Sequence, residues 1–167
     1  MRIRHATSAD AEAISRIYNQ GIEDRVATLE TMRRTPEERR QWMESRGARH
    51  PVLVAEAAGD VVAWASLNPF NPRPAYDHVA DLSIYVERGW RGKGVGGALL
   101  ARVIESACEI GFHKIVLAAL ASNRAGEALY TKFGFRRVGV YREQGLLDGR
   151  WTDVLIMDRL LDEGPTP

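Results

Sequence analysis

The run Arg91-Gly92-Lys93-Gly94-Val95-Gly96-Gly97 constrains this chain more than any other segment. It stands between an apolar stretch, Leu82-Ser83-Ile84-Tyr85-Val86, and a helical pattern over residues 98–109. Its four glycines let the backbone approach a ligand without Cβ contacts. Successive N–H groups in such a run can converge on one concavity, and the helix that follows adds the positive end of its dipole. The segment reads as an anion cradle, and phosphate is its natural guest.

Which phosphate compound it takes can be narrowed. Gly92, Gly94 and Gly97 occupy the places of a G-x-G-x-x-G dinucleotide fingerprint. That fingerprint also needs a tight strand-to-helix turn and, about 20 residues on, an acid for the ribose. Here residues 87–90 lengthen the turn, and the next strand, expected over Lys114–Leu120, carries no acid. A nucleoside-triphosphate loop fits less well, with Glu87 in place of its first glycine and Gly94 in place of a magnesium-binding Ser or Thr. What remains is a long diphosphate bound without a metal.

Length bounds the answer to one domain: 167 residues with 45% hydrophobic content suffice for a sizeable core and are too few to argue for two. That domain is expected over residues 1–162, with a short flexible tail at 163–167. Twenty-three Lys and Arg against 22 Asp and Glu leave a net charge of +1, so no global field favours nucleic acid or an anionic membrane. No apolar run approaches the about 18 residues of a membrane span, and Met1-Arg2-Ile3-Arg4-His5 carries no apolar core of a secretory signal. The single Cys108 forms no internal disulfide, which agrees with a reducing, cytoplasmic setting. At the edge of its helix stripe it is expected to be a packed thiol.

The remaining elements follow from periodicity and punctuation. A strand opens at Arg2, and Thr7 or Ser8 caps a helix carrying Ala11, Ile14, Ile17, Tyr18, Gly21 and Ile22 on one face. Thr35-Pro36 with Glu38 forms a capping box for a second helix ending near Gly47. Val52-Leu53-Val54-Ala55 and Val61-Val62-Ala63-Trp64-Ala65 flank Gly59-Asp60 as a hairpin. The helix over 93–110 aligns Leu99, Leu100, Val103, Ile104 and Ala107 and stops at Gly111. A strand over Lys114–Leu120, a helix over 123–132 and strands near 136–141 and 151–157 complete an α/β (α+β) pattern, a mixed sheet with helices on its faces.

Arg91-x-x-Gly94-x-Gly96 after a strand resembles the pyrophosphate-binding motif of the GCN5-related N-acetyltransferases, and the order of elements over nearly the whole chain is similar to that superfamily. Within it the chain most resembles the phosphinothricin acetyltransferase group. The marks are Tyr18-Asn19, Arg73-Pro74-Ala75-Tyr76-Asp77, Ala80-Asp81 and Gly149-Arg150-Trp151-Thr152-Asp153-Val154, while Ser122-Asn123-Arg124 leading to Tyr130-Thr131-Lys132-Phe133-Gly134-Phe135 falls in the wider superfamily's order. The resemblance implies a sheet of about six to seven strands, splayed at the middle strands to form a slot for acetyl-coenzyme A, and no metal.

It also implies roles. Asp81, where the group usually has Glu, becomes the candidate base, acting directly or through water. Tyr130 becomes the candidate acid for the leaving thiolate; part of the close group has His there. Backbone N–H groups of Ile84, Tyr85 and Val86 would serve the pantetheine and the thioester carbonyl, and those of Gly92, Lys93, Gly94, Val95, Gly96 and Gly97 the diphosphate, helped by the Arg91 side chain. Asn123 would bond the thiol region, although a plain helix cap would look the same in sequence.

For the acceptor, Arg73 between Pro72 and Pro74 is a candidate clamp for a carboxylate or phosphinate, with Tyr76, Tyr18 and Asn19 adding polar contacts and Thr28 and Leu29 shaping the pocket. The acceptors implied are glutamate- or methionine-like amino acids: phosphinothricin, methionine sulfoximine or sulfone, or arsinothricin, acetylated as detoxification. Thr152 replaces the commoner His of Trp-His-Asp. A homodimer through Trp151 and the last strand is expected by the same resemblance. A protein or peptide acetyltransferase and a non-catalytic acyl-coenzyme A sensor remain open as other readings.

Overall fold

The fold is organised by a mixed sheet whose two faces carry separate apolar clusters. The computed structural model describes residues 1–161, so the expected tail at 163–167 lies outside the described residues. In chain order the elements are β1 (Arg2–His5), α1 (Ala11–Glu23), α2 (Pro36–Glu44), β2 (Val52–Ala57), β3 (Asp60–Pro69), β4 (Val79–Val86), α3 (Val95–Ile110), β5 (Lys114–Leu120), α4 (Arg124–Lys132), β6 (Arg136–Leu147) and β7 (Arg150–Leu160). The seven strands lie in the order β1-β2-β3-β4-β5-β7-β6. Among the described residues only β4 and β5 run parallel; every other neighbouring pair is antiparallel.

Strand alternation distributes the side chains. Ala63, Ala65 and Leu67 of β3 join Leu99, Leu100 and Val103 of α3 in the larger cluster, where Tyr130 of α4 is also buried. Trp64 turns to the other face and packs with Ile14 and Ile17 of α1, Val52 and Val54 of β2, and Trp42 of α2. Burial of these faces is the main source of stability, at about 25 cal/mol per Å² of apolar surface.

Local chemistry sets the boundaries. The Thr35–Glu38 capping box forms, with Glu38 N–H donating to Thr35 Oγ1 at 3.1 Å and Thr35 N–H to Glu38 Oε2 at 2.6 Å. The β2–β3 turn places Ala58 and Gly59 at φ 54° and 90°, and the β6–β7 turn places Asp148 and Gly149 at 50° and 74°. Two successive positive φ angles match the twist of hairpin strands.

Several sequence expectations are corrected. α1 is entered through a single 3-10 turn at Ser8–Asp10, and α2 ends at Glu44. β4 begins at Val79, so Asp81 is its third residue rather than its threshold. β6 reaches Leu147, because irregularities between Tyr141 and Gly145, with Glu143 at φ 51°, let the strand resume pairing. Cys108 is exposed: the inward arc of α3 ends at Ala107, and the next residue rotates off it. Among the described residues no helix is long and apolar enough to cross a membrane.

Candidate active site

Register decides where the sheet opens. β3 and β4 stay paired from Ala63↔Val86 to Pro69↔Ala80, whereas β4 and β5 pair only through Val79↔Lys114, Ala80↔Ile115 and Asp81↔Val116. Beyond Val116, β5 continues on β7 alone. The edge of β4 over residues 82–86 is thus left without its β5 partner, which is the splay. Glu87 N–H donates to Val62 O at 2.8 Å, and antiparallel parity then turns the Tyr85 amide to β3 and those of Ile84 and Val86 to the opening. Of the three expected backbone donors, Tyr85 is therefore committed to the sheet, and its side chain lines the opening instead.

At the far end of β4 the loop forms the expected concavity. Gly92 and Gly94 sit at φ 73° and 83°, a region that favours glycine. Gly94 caps α3, and Ala98 N–H is the first to bond back, to Gly94 O at 3.1 Å. The N–H groups of Val95, Gly96 and Gly97 have no intrahelical partner and crown a helix N-terminus. A Cβ at Gly96 would come within 3.4 Å of Leu129, so glycine there keeps α4 close. The Val95 side chain is core, and Lys93 places Nζ 5.4 Å from the Trp90 ring centroid.

Arg91 is braced rather than free. Its Nε donates to Val86 O at 3.1 Å and its Nη1 to Asp24 Oδ2 at 2.5 Å. Arg88 binds the same carboxylate at 2.6 Å, and the two guanidinium groups hold Asp24 below the ordinary carboxylate range. The α1 C-terminus thereby fixes the loop's entry, with Glu23 adding a second carboxylate at 3.3 Å from Arg88.

A cleft of 350 Å³ runs from this loop along the splay, lined by Ile84, Val86, Arg91, Gly94, Asn123 and Tyr130 among others. Asn123 caps α4, its Oδ1 accepting from Gly126 N–H at 2.9 Å. A Cβ at residue 126 would fall 2.7 Å from Asn123 Nδ2, so the cap requires glycine there. Tyr130 packs edge-on against Phe135, with centroids 5.9 Å apart. Burial pushes its hydroxyl pKa up to about 12, so it keeps its proton at neutral pH and is available as a donor. Free amides at one end and a slender, largely apolar channel leading to one phenol fit a diphosphate-bearing pantetheine thioester.

Asp81 stands on the last rung before the strands part. Its side chain lines a second cavity, of 230 Å³, with Thr28, Leu29, Ser83, Tyr85 and Leu120. Burial raises its pKa to about 6, and a hydrogen bond from Asn68 pulls the other way. The group is thus poised to accept a proton near neutral pH. Tyr85 lines both spaces, so the channel and the cavity meet at one ring.

The other expected acceptor residues divide. Thr28 and Leu29 join Asp81; Leu29 is backed by Gly145, where a Cβ would lie 2.7 Å from Leu29 Cδ1. Tyr18 packs edge-on against Tyr85 at 5.0 Å and supports the cavity wall. Asn19 clamps the backbone of residue 34, donating to Arg34 O at 2.9 Å and accepting from Arg34 N–H at 2.8 Å. Arg73 is exposed before the turn Pro74–Tyr76, and Tyr76 packs on Phe70 at 5.4 Å; neither lines the Asp81 cavity. Sequence reasoning missed Asn68 and Ser83. The signal was there: Ser66 and Asn68 on β3, and Asp81 and Ser83 on β4, interrupt otherwise apolar runs two residues apart.

Comparison with known proteins fits this geometry. The acetyltransferase (GNAT) family profile matches residues 15–135. The L-methionine sulfoximine/L-methionine sulfone acetyltransferase of Salmonella typhimurium is 33% identical, over 100% of this chain and 98% of that protein. A solved ribosomal-protein-alanine N-acetyltransferase from Brucella melitensis superposes with a TM-score of 0.92 at 40% identity, covering 96% and 99% of the two chains. A phosphinothricin acetyltransferase from Sinorhizobium meliloti, solved in complex with AcCoA, gives 0.92 at 30% identity, covering 98% and 90%. The chain belongs to the GNAT acetyltransferase family. It is an acetyl-CoA-dependent N-acetyltransferase.

Proposed function

We propose that the protein acetylates the α-amine of a small amino acid with a polar or anionic tail, of the phosphinothricin, methionine sulfoximine, methionine sulfone or arsinothricin kind, and that this inactivates a toxic amino acid. The observation that carries the reading is Asp81, with its pKa near 6, in an acceptor cavity of only 230 Å³ that shares the Tyr85 wall with the channel. That volume suits an amino acid better than a polypeptide segment. The relatives' names point the same way for methionine sulfoximine and phosphinothricin.

Bound acetyl-CoA supplies an activated acetyl group, with the amides of residues 92–97 and Arg91 at its diphosphate and Asn123 along its arm. Asp81 takes a proton from the acceptor ammonium, directly or through one water, and so frees the amine lone pair. The Ile84 and Val86 amides offer donors where negative charge develops on the carbonyl oxygen. The freed amine attacks the thioester carbon. As the C–N bond forms and the C–S bond breaks, Tyr130 donates a hydrogen bond to the departing thiolate, whose pKa of about 8.5 makes it a good leaving group. It relays to the thiolate the second proton that the acylated nitrogen sheds, so that the phenol ends protonated. No residue need be acylated, and exposed Cys108 stands outside the scheme.

The Brucella structure's name, a ribosomal-protein-alanine N-acetyltransferase, favours a second reading, acetylation of a protein or peptide. A non-catalytic sensor would have no use for an acid in the channel and a base in the cavity that adjoins it at Tyr85. We further propose a cytoplasmic homodimer, supported by Val138, Tyr141, Leu146 and Trp151 (63% exposed), apolar residues left on β6 and β7. The test is thiol release from acetyl-CoA with phosphinothricin, methionine sulfone, arsinothricin, a polyamine and a peptide. Turnover with the amino acids supports the proposal; activity confined to the last two overturns it.

A further inference from the structure

Three buried side-chain atoms among the described residues lack a hydrogen-bond partner: Arg39 Nε, Trp64 Nε1 and Ser66 Oγ. All three residues line one cavity of 210 Å³ between α2 and the β3–β4 ladder. Leaving such a group unpaired costs about 1–3 kcal/mol, which makes a cluster of orphans unexpected without an occupant. Trp64 and Ser66 are only 2% and 1% exposed, so a partner for these atoms has to enter through this cavity.

The donor inventory limits what the occupant is. Arginine and the indole N–H can only donate, and a serine hydroxyl can donate. Arg39 pairs with no carboxylate among the described residues; its guanidinium lies instead 5.1 Å from the Tyr18 centroid and 4.8 Å from that of Trp42. Burial lowers its pKa, as expected of a cation lacking its counter-charge. The complement of these donors is a compact group of anionic oxygens.

Register ties this cavity to Asp81. Ser66 faces Ser83, and Asn68 faces Asp81. Asn68 hydrogen-bonds Asp81 and also donates to Ser83 Oγ at 3.2 Å. Ser83 and Tyr85 line both the Asp81 cavity and this one. One two-residue step of a strand is about 7 Å, within the span of a short amino acid from amine to tail.

We propose that Arg39, Trp64 and Ser66 form the subsite that binds the oxyanion tail of the acceptor while its amine lies at Asp81. The proposal rests on the amino-acid reading above and moves tail recognition from exposed Arg73 to half-buried Arg39. Arg39 is then a specificity-determining residue.

The test is calorimetric binding of phosphinothricin and of norleucine, which lacks the oxyanion, to the full chain with coenzyme A present. The wild type should bind phosphinothricin at least about tenfold more tightly, the effect of hydrogen bonds to a charged group. Arg39→Gln should reduce that preference to within about twofold while leaving coenzyme A affinity unchanged. Ser66→Ala, which removes no existing hydrogen bond, should reduce it several-fold and serves if Arg39→Gln does not fold. No preference in the wild type, a preference that survives both substitutions, or equal weakening of both ligands overturns the subsite. Thiol release separates the two claims. An Arg39-dependent preference without turnover sinks amino-acid acetylation and keeps the subsite; turnover with a preference indifferent to Arg39 and Ser66 does the reverse.

Discussion

Asn68 stands directly across the β3–β4 ladder from Asp81, and its amide hydrogen-bonds the Asp81 carboxyl. Burial favours the neutral acid and this bond favours the carboxylate; burial is the larger effect, and the pKa settles at about 6. A base so balanced is mostly ionised at neutral pH yet still basic enough to take a proton.

The acceptor kcat/KM of the wild type should therefore rise with pH through an inflection near 6. Asp81→Asn should abolish that inflection and lower kcat about 10²–10⁴-fold, with the KM for acetyl-CoA little changed. Asn68→Ala removes the bond that favours the carboxylate, so its inflection should move upward. Steady-state thiol release across pH measures all three.

The same carboxyl should burden the fold. Because the folded pKa of about 6 exceeds the ordinary 3.8, the folded state holds the extra proton between these values. Stability therefore falls as pH rises through that window and stays reduced above it. Asp81→Asn should stabilise the protein by about 2 kcal/mol at pH 7.5, roughly 5 °C in Tm. The gain should nearly vanish at pH 4, and thermal melts at both pH values test this.

Gly94→Ala should separate coenzyme from acceptor. No atom lies within 4 Å of the added Cβ, but φ is +83°, a conformation costing a non-glycine residue about 1–2 kcal/mol. Relaxing that strain disperses the amides of the loop, so the KM for acetyl-CoA should rise about tenfold or more while that for the acceptor stays near wild type.

Tyr130→Phe keeps the ring that packs on Phe135 and removes only the proton donor. kcat should fall about 10²-fold, with Tm within a few degrees of wild type. Single-turnover acetylation should show the loss in the chemical step rather than in product release.

Sequence and structure agree where the determinants are local. Thr35, Pro36 and Glu38 specify a helix start by contacts within four residues, and Gly92 and Gly94 specify the loop by their φ angles. The splay was legible only by resemblance, because it depends on where β4 loses β5, a property of two strands distant in sequence. Arg39 was invisible for a related reason. α2 contributes no fully buried residue and reads as a polar surface helix; only the approach of Tyr18, Trp42 and Trp64 turns one of its arginines into a wall of a cavity. Arg73 shows the opposite limit: its proline neighbours fix a backbone without saying which way a side chain faces, and it stands exposed, outside the lining of the Asp81 cavity.

The most direct measurement is a crystal structure with coenzyme A and phosphinothricin bound. The account predicts the diphosphate on the amides of residues 92–97, the pantetheine between β4 and β5, and the acceptor amine within one hydrogen bond or one water of Asp81. A coenzyme bound elsewhere, or an acceptor amine remote from Asp81, would contradict it.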